Sequence, residues 1–598
     1  HASECWCTYR LWPWTAERLW QCQDATIAML HRRVRAIFFL LVWAKALGTQ
    51  NVTHIVQVVA DDLGYNDLGF MNGGKTVTPN IDSLRREGIL LTDYYTFRVC
   101  APSRASSMTG RYPFNVGFYD MSHDKHHCVD PSFKMLPELL RAGGYRTYIT
   151  GKWDVGFIKQ HCTPTFRGFE TFLGYYSACT SDYWYHGAPG GNATEDKCGG
   201  IDLHDSTTDC VKGASMSGPH SYNGTYDQDL FTDRAVSTIQ SHDISEPLYL
   251  YVAYHNVHDA CTEDRFALGL QAPLETVDQY ARTRLDTWKV QGAMTTELDY
   301  GVGNITAALK SKGLWENTVF IFMSDNGGPL DHSSNWPLRA GKGHHWEGGY
   351  RVVSFVSGGI LPHGRHGTNF SGMVHAADWW STLVSGVAGL EVPKSTGLVP
   401  PDSLNVWPAL LGTNTTSPRT EVVHAVTNKY FNRSLGNIGV QAARFGNYKL
   451  ITGLSCDETK VWQAWPELSA VDVPFGLSHG VVEAGTDHAR AALLDHGEKF
   501  NAGSAATREE SDVADQHVCL YDLSKDLGER HNLATDPQYA NLIEDLKERL
   551  RKIADAGPNI SIAYGGVGPI NKSTDNSVCY QEEATGYLEP LDWHRMCV

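Results

Sequence analysis

The sequence predicts an α/β fold: a large, mostly parallel (mixed) sheet sandwiched by helices, followed by a smaller C-terminal antiparallel sheet plus one helix. Two observations predict it. Short β-branched or aromatic runs alternate with helical patterns through the longer N-terminal part. The later part instead reads as a hairpin, a further strand and one amphipathic helix.

Four runs stop abruptly at polar residues. "HIVQVVADD" (His54 to Asp62) ends on two carboxylates, and "YRTYITGKW" runs into Lys152. "PLYLYVAYHNVH" ends at His258, and "TVFIFMSDNGG" ends on Asp325 and Asn326. Between them lie the helical patterns "PNIDSLRREG" (Pro79 to Gly88), "LPELLRAGG" (Leu136 to Gly144) and "GVGNITAALKSKG" (Gly301 to Gly313). In such sheets ligands gather outside the carboxyl ends of the strands, where this pattern puts Asp, Lys, His and Asn side chains.

Further on, "VQAARFGNYKLITG" (Val440 to Gly453) reads as a hairpin turning near Gly446-Asn447. "CLYDLSKDLGERHNLA" (Cys519 to Ala534) reads as a strand and a turn. In "DPQYANLIEDLKERLRKIADAG", Asp536 is a cap and Pro537 a first-turn residue, and Ile543, Leu546, Leu550 and Ile553 form one apolar stripe. The stretch from about Pro466 to Gln516 is weakly patterned. The expected organisation is an unassigned leader at 1–28, a signal peptide at 29–48, an α/β catalytic domain at 51–415 and a smaller α+β domain at 416–598.

Composition narrows the partners. The chain has 598 residues, 42% hydrophobic and 20% charged, which suits a packed core rather than global disorder. A formal charge of −17 argues against nucleic acid as a partner. It leaves room for anionic substrates, because a local basic pocket can sit inside an acidic protein.

From Met29 the chain reads "MLHRRVRAIFFLLVWAKALG", with a basic start, a short apolar run and a small-residue cleavage site at Ala44-Lys45-Ala46. This is a signal-peptide pattern, the alternative being a retained apolar anchor. No later stretch is apolar for long enough to span a bilayer, so no stable membrane span is expected once the signal is removed. Nine N-x-Ser/Thr sequons, at Asn51, Asn192, Asn223, Asn304, Asn369, Asn414, Asn432, Asn559 and Asn571, fit a secretory glycoprotein, extracellular or lysosomal. That compartment permits disulfides. With the leader cysteines Cys5, Cys7 and Cys22 removed and Cys100 set aside, ten cysteines remain, an even number. Cys198 and Cys210 are close enough to staple one loop; the other pairings are not readable from spacing.

Asp61, Asp62, Asp325 and Asn326 bring four oxygen-bearing side chains to two strand ends. Hard divalent ions such as Ca²⁺ or Mg²⁺ take that donor set, and three carboxylates packed together without a cation repel one another. Taken singly, each pair can be a turn or a cap. Cys100 stands in "RVCAPSRASSMTGRYPF", an unusual setting for a disulfide cysteine.

"CAPSRASSMTGRY" matches the sulfatase signature, Cys-x-Pro-Ser-Arg followed by Thr-Gly-Arg. The chain resembles the type I sulfatases, and within them the branch of arylsulfatase B, the N-acetylgalactosamine-4-sulfatase, and its near relatives. The resemblance runs from about Asn51 to Ala554 and includes "VADDLGYNDLGF", "TPNIDSLRREGI", "GKWDVG", "RGFETFLGYYS", "NWPLRAGKGHHWEGGYR" and "LYDLSKDLGERHNLA". It implies the alkaline-phosphatase-like form of the fold. It also implies that a formylglycine-generating enzyme oxidises Cys100 to formylglycine, whose hydrate attacks sulfur with one hydroxyl and expels sulfate with the other.

By the same resemblance, Asp61, Asp62, Asp325, Asn326 and the modified Cys100 would bind one Ca²⁺ ion, with Mg²⁺ able to fill the same role. Arg104 would stabilise the hydrate and the ion site, Lys152 and Lys342 would hold sulfate oxygens, and His258 with Lys342 would assist departure of the alcohol. One position departs from the pattern. The family usually reads Gly-Lys-Trp-His, whereas this chain has Asp154, a weaker base with a pKa near about 4. Asp154 acts as the base in a slower or lower-pH enzyme, a neighbour such as His161 or His123 substitutes, or turnover is crippled. The implied activity is hydrolysis of a sulfated sugar or an aryl sulfate, with N-acetylgalactosamine-4-sulfate in a glycosaminoglycan-like polymer as one candidate. The alternatives are an impaired sulfatase-like protein that binds sulfated glycans and a phosphoesterase of the same fold.

Overall fold

A computed structural model describes residues 52–118, 128–157, 159–187, 201–207, 222–261, 269–414, 416–426, 440–453, 456, 460–472 and 517–556. The leader and signal segments, His123, Cys198, Cys210 and most of the weakly patterned stretch lie outside the described residues. The described residues from Thr53 onward form one compact unit.

Its centre is a nine-stranded mixed sheet. The strands in chain order are β1 (His54–Ala60), β2 (Ile89–Leu91), β3 (Tyr94–Tyr95), β4 (Arg146–Gly151), β5 (Thr171–Gly174), β6 (His204–Thr207), β7 (Leu248–Ala253), β8 (Thr318–Ser324), β9 (Ser354–Ser357), β10 (Thr368–Phe370) and β11 (Val374–His375). The large sheet runs in the order β10-β2-β9-β8-β1-β7-β4-β5-β6, while β3 and β11 pair separately. The five strands from β8 to β5 are mutually parallel, and antiparallel pairing enters at β8–β9, β9–β2 and β5–β6.

Both faces are covered, which explains the near-continuous apolar runs. In β1, Ile55 and Val59 join one core with helices α2 (Cys100–Thr109) and α3 (Leu136–Ala142). Val56, Val58 and Ala60 join the other core with α1 (Pro79–Arg86), α4 (Asp227–Ser241) and α5 (Asp286–Lys312). The α5 helix begins at Asp286, well before the Gly301 start of the sequence pattern. Its first half is buried on nearly every side, so it lacks the one-sided stripe that marks a surface helix.

The smaller sheet contains β12 (Glu421–Ala425), β13 (Gln441–Phe445), β14 (Tyr448–Thr452) and β15 (Val518–Asp522), all antiparallel. Gly446 takes a positive φ of 57° at the β13–β14 turn. Asp536 caps the turn Pro537–Tyr539, and α6 (Ala540–Ala556) follows, burying Ile543, Leu546 and Leu550. These residues share a core with Phe97 and Val99, so the small sheet and its helix buttress the segment that delivers Cys100. A second brace is ionic. Lys449 of β14 is fully buried, with its Nζ 3.0 Å from Glu347 and 2.9 Å from Glu529. Disulfides join Cys128–Cys162, Cys179–Cys261 and Cys456–Cys519.

Candidate active site

The sheet register puts four strand ends at one level. Val59 of β1 and Gly151 of β4 both face Ala253 of β7, and Ala60 faces Ser324 of β8. The residues that follow, Asp61, Asp62, Lys152 and Asp325, therefore emerge side by side. Gly151 is required for this exit: it has φ 96°, and a Cβ there would fall 1.8 Å from the Ala253 carbonyl oxygen.

Each acidic group meets a cation. Lys152 Nζ donates to Asp61 Oδ2 at 2.7 Å, and Lys342 Nζ donates to Asp62 Oδ2 at 2.6 Å. Arg104 donates from Nε and Nη2 to Asp325 Oδ2 at 3.1 and 2.7 Å. Asn326 Nδ2 donates to Asp62 Oδ1 at 2.6 Å, and the Asp62 N–H donates to Asp325 Oδ1 at 3.2 Å. His258 Nε2 lies 3.0 Å from Lys342 Nζ and 3.5 Å from Asp62 Oδ2.

These contacts set the charge states. Burial favours the neutral acid at Asp62, but Lys342 and His258 outweigh it and hold the carboxyl below the usual carboxylate range. Asp325 is pushed up to about 6 by burial and by neighbouring Asp61, against the pull of Arg104 and Lys152. With Asp154 the cluster holds four carboxylates against the three fixed cations Arg104, Lys152 and Lys342.

The buried oxygens Asp61 Oδ1 and Asn326 Oδ1 have no hydrogen-bond partner. Such orphaned acceptors beside clustered carboxylates fit a hard divalent cation, which satisfies them and relieves the repulsion. Asp61, Asp62 and His258 also converge closely enough to share an ion.

Cys100 opens α2 at the base of this cluster. It is fully buried and, among the described cysteines, is the free thiol. Ser103 fixes the preceding turn, its Oγ accepting from the Phe97 N–H at 2.9 Å and donating to the Val99 carbonyl at 2.9 Å. Burial pushes the thiol well above its ordinary pKa, and Asp154 adds to that, while Lys152 and Lys342 oppose it. This setting disfavours a thiolate nucleophile.

Asp154 is completely buried, and neither of its carboxylate oxygens has a hydrogen-bond partner. Its Oδ2 lies 3.5 Å from Lys152 and 4.0 Å from Arg104. Its φ of 53° is a left-handed conformation that Asp tolerates. His161 sits beside the Cys128–Cys162 disulfide.

The sequence reading missed a supporting layer. His255 Nδ1 lies 2.8 Å from Asp227 Oδ2, and its ring stacks on Tyr183 at 4.1 Å. The Tyr183 hydroxyl donates to the carbonyl of His258 at 2.6 Å. His255 stands three residues before His258 at the same strand end, which was the available signal. Asp227 lies in a helix with no distinctive spacing.

Residues 53–385 match the family described as Sulfatase. Arylsulfatase J of Mus musculus is 33% identical over 417 residues, covering 67% of this chain and 64% of its own length. The chain thus spans less than two thirds of that relative. Arylsulfatase A of Homo sapiens is 28% identical over 512 residues, covering 83% of this chain and 86% of its own length. The crystal structure of Ps i-CgsB has a similar fold, with a TM-score of 0.61 at 23% identity over 89% of this chain and 98% of that one.

Proposed function

The chain belongs to the sulfatase family, and from that premise we propose that it hydrolyses sulfate esters of sulfated sugars or aryl alcohols. The 4-sulfate of N-acetylgalactosamine in a glycosaminoglycan-like polymer is the favoured natural target. The observation that carries this reading is the convergence of a free, buried Cys100 with oxygen donors from two strand ends and three cationic side chains.

A formylglycine-generating enzyme converts Cys100 to formylglycine, and Asp61, Asp62, Asp325 and Asn326 hold one Ca²⁺. When present, these groups supply the nucleophilic hydroxyl and the Lewis acid that polarises sulfate. The chain's own residues do the rest. Lys152 and Lys342 balance charge on the sulfate oxygens. Arg104 orients Asp325 and favours its ionised form against burial and Asp61. His258, backed by Lys342, protonates the departing ester oxygen through Nε2, while its Nδ1 is held 2.6 Å from the Asp259 carbonyl. Asp154 accepts the proton when sulfate is released. Four carboxylates against three fixed cations leave the cluster net negative; a divalent ion reverses that sign and makes room for an anionic ester.

The disulfides and the sequons Asn223, Asn304, Asn369 and Asn414, all with exposed asparagines, support passage through the secretory pathway to the extracellular space or lysosome. No helix of the described residues is long and apolar enough to cross a membrane. One feature favours binding of sulfated glycans without turnover, namely Asp154 in the usual histidine position. Assay of the purified protein separates the readings. Release of sulfate from p-nitrocatechol sulfate, lost on chelation and restored by Ca²⁺, is expected. Release of phosphate from the phosphate analogue, or of neither anion, contradicts the proposal.

A further inference from the structure

The segment that leads into Lys342 carries a surface aromatic–cation stack that the reaction does not use. The guanidinium carbon of Arg530 lies 4.4 Å from the ring centre of Trp462 and 5.6 Å from that of Trp336. The Trp462 indole N–H donates to the Gly528 carbonyl at 2.6 Å, which fixes that ring. Arg530 is exposed, and Trp336 is 41% exposed despite its size.

Asn335, the chain neighbour of Trp336, is tied to the same loop as Lys342. The Gly328 carbonyl accepts from Asn335 Nδ2 at 2.8 Å and from the Lys342 N–H at 3.1 Å. Asn335 Oδ1 in turn accepts from the Gly328 N–H at 3.0 Å. Chain geometry from Asn335 then keeps the Trp336 Cα within about 13 Å of the Lys342 backbone, a few pyranose rings away.

We propose that Trp336 and Arg530 form a second sugar subsite that takes an anionic pyranose neighbouring the sulfated unit in a polysaccharide chain. The inference rests on the reading that the substrate is a sulfated sugar. The apolar C–H face of a pyranose suits the open indole face, and a guanidinium pairs with sulfate or carboxylate oxygens through a planar fork. A chain with a formal charge of −17 repels polyanions at long range, so a local cation on a rigid apolar platform is what such a ligand requires. An exposed tryptophan alone would be unremarked. Its pairing with an exposed arginine, and its place next in the chain to the Asn335 that shares a carbonyl with Lys342, point to a ligand.

The test is equilibrium binding of a chondroitin 4-sulfate octasaccharide to the full chain, which needs no turnover. Trp336→Ala is expected to weaken binding about tenfold at an unchanged melting midpoint, in keeping with the usual worth of ring stacking. Trp336→Phe should keep most of the affinity, and Arg530→Gln should weaken it and flatten its salt dependence. Ile244→Ala, an exposed apolar change just ahead of the amino end of β7, whose other end carries the site, should bind as the parent does. Failure of the parent to bind the octasaccharide, or equal binding by Trp336→Ala, overturns the subsite. Loss of p-nitrocatechol sulfate hydrolysis with intact, Trp336-dependent binding overturns only the reading of the reaction.

Discussion

Lys342 and His258 meet with 3.0 Å between Nζ and Nε2, above the carboxylate of Asp62 that both approach. On the proposed reading, an ammonium this close to an imidazole nitrogen lets the pair pass a proton toward the leaving oxygen. His258→Ala is therefore expected to lower kcat by about 100- to 10,000-fold on an alkyl sugar sulfate. The loss should be smaller on p-nitrocatechol sulfate, whose leaving group needs little protonation. Equal losses on both substrates would remove His258 from that role.

Asp154 makes a second separable prediction. Its carboxylate, which accepts no hydrogen bond, lies between Lys152 and Arg104. Asp154→Asn keeps the shape and removes the base, so kcat should fall by about 100-fold or more with little change in KM. Asp154→His, tolerated at positive φ better than most residues, should restore turnover. Full activity in the Asn variant would show that another group takes the proton.

Glu297, on α5, supplies a pH prediction away from the site. Burial pushes its pKa up to about 7, partly offset by the Thr276 hydroxyl, and neighbouring Asp229 and Glu275 push it the same way. The folded chain thus holds this proton more tightly than the unfolded chain, whose ordinary value is 4.5. The stability tied to this proton is fully present below the unfolded value and is lost as pH rises from there through about 7. Glu297→Gln, always neutral, should gain stability over the parent by on the order of 1–3 kcal/mol between pH 5 and pH 8. Melting curves of the two proteins at the two pH values check this; a constant gap would contradict it.

The buried Lys449 brace predicts a structural effect with a functional echo. Lys449→Met strands Glu347 and Glu529 without their shared cation, which should cost about 3–5 kcal/mol. Because Glu347 follows the Lys342 loop closely in the chain, sulfate affinity should fall as well. Denaturant unfolding gives the first number, and inhibition by inorganic sulfate gives the second.

Much of this was legible in the chain because apolar strands that stop at Asp61-Asp62, Lys152 and Asp325-Asn326 leave few other places for those groups to go. The mixed sheet follows from near-continuous apolar runs that stop at polar residues, and the stripe of α6 from spacings of three and four. The first half of α5 was not legible, because burial on all sides erases its amphipathic period. Nor was the Lys449 brace, which joins residues far apart in sequence through charges that resemble surface ones. The same holds for Asp227 behind His255. Pairings of that kind are set by tertiary packing, and no local spacing announces them.

The most direct measurement is the mass of the peptide containing position 100, from protein produced in a eukaryotic secretory host. A peptide lighter by about 18 Da than the thiol form, as expected when a thiol becomes a carbonyl, and able to react with a carbonyl-specific hydrazide, is the predicted result. An unmodified thiol in protein that turns over sulfate esters, or a disulfide at Cys100, would contradict the account.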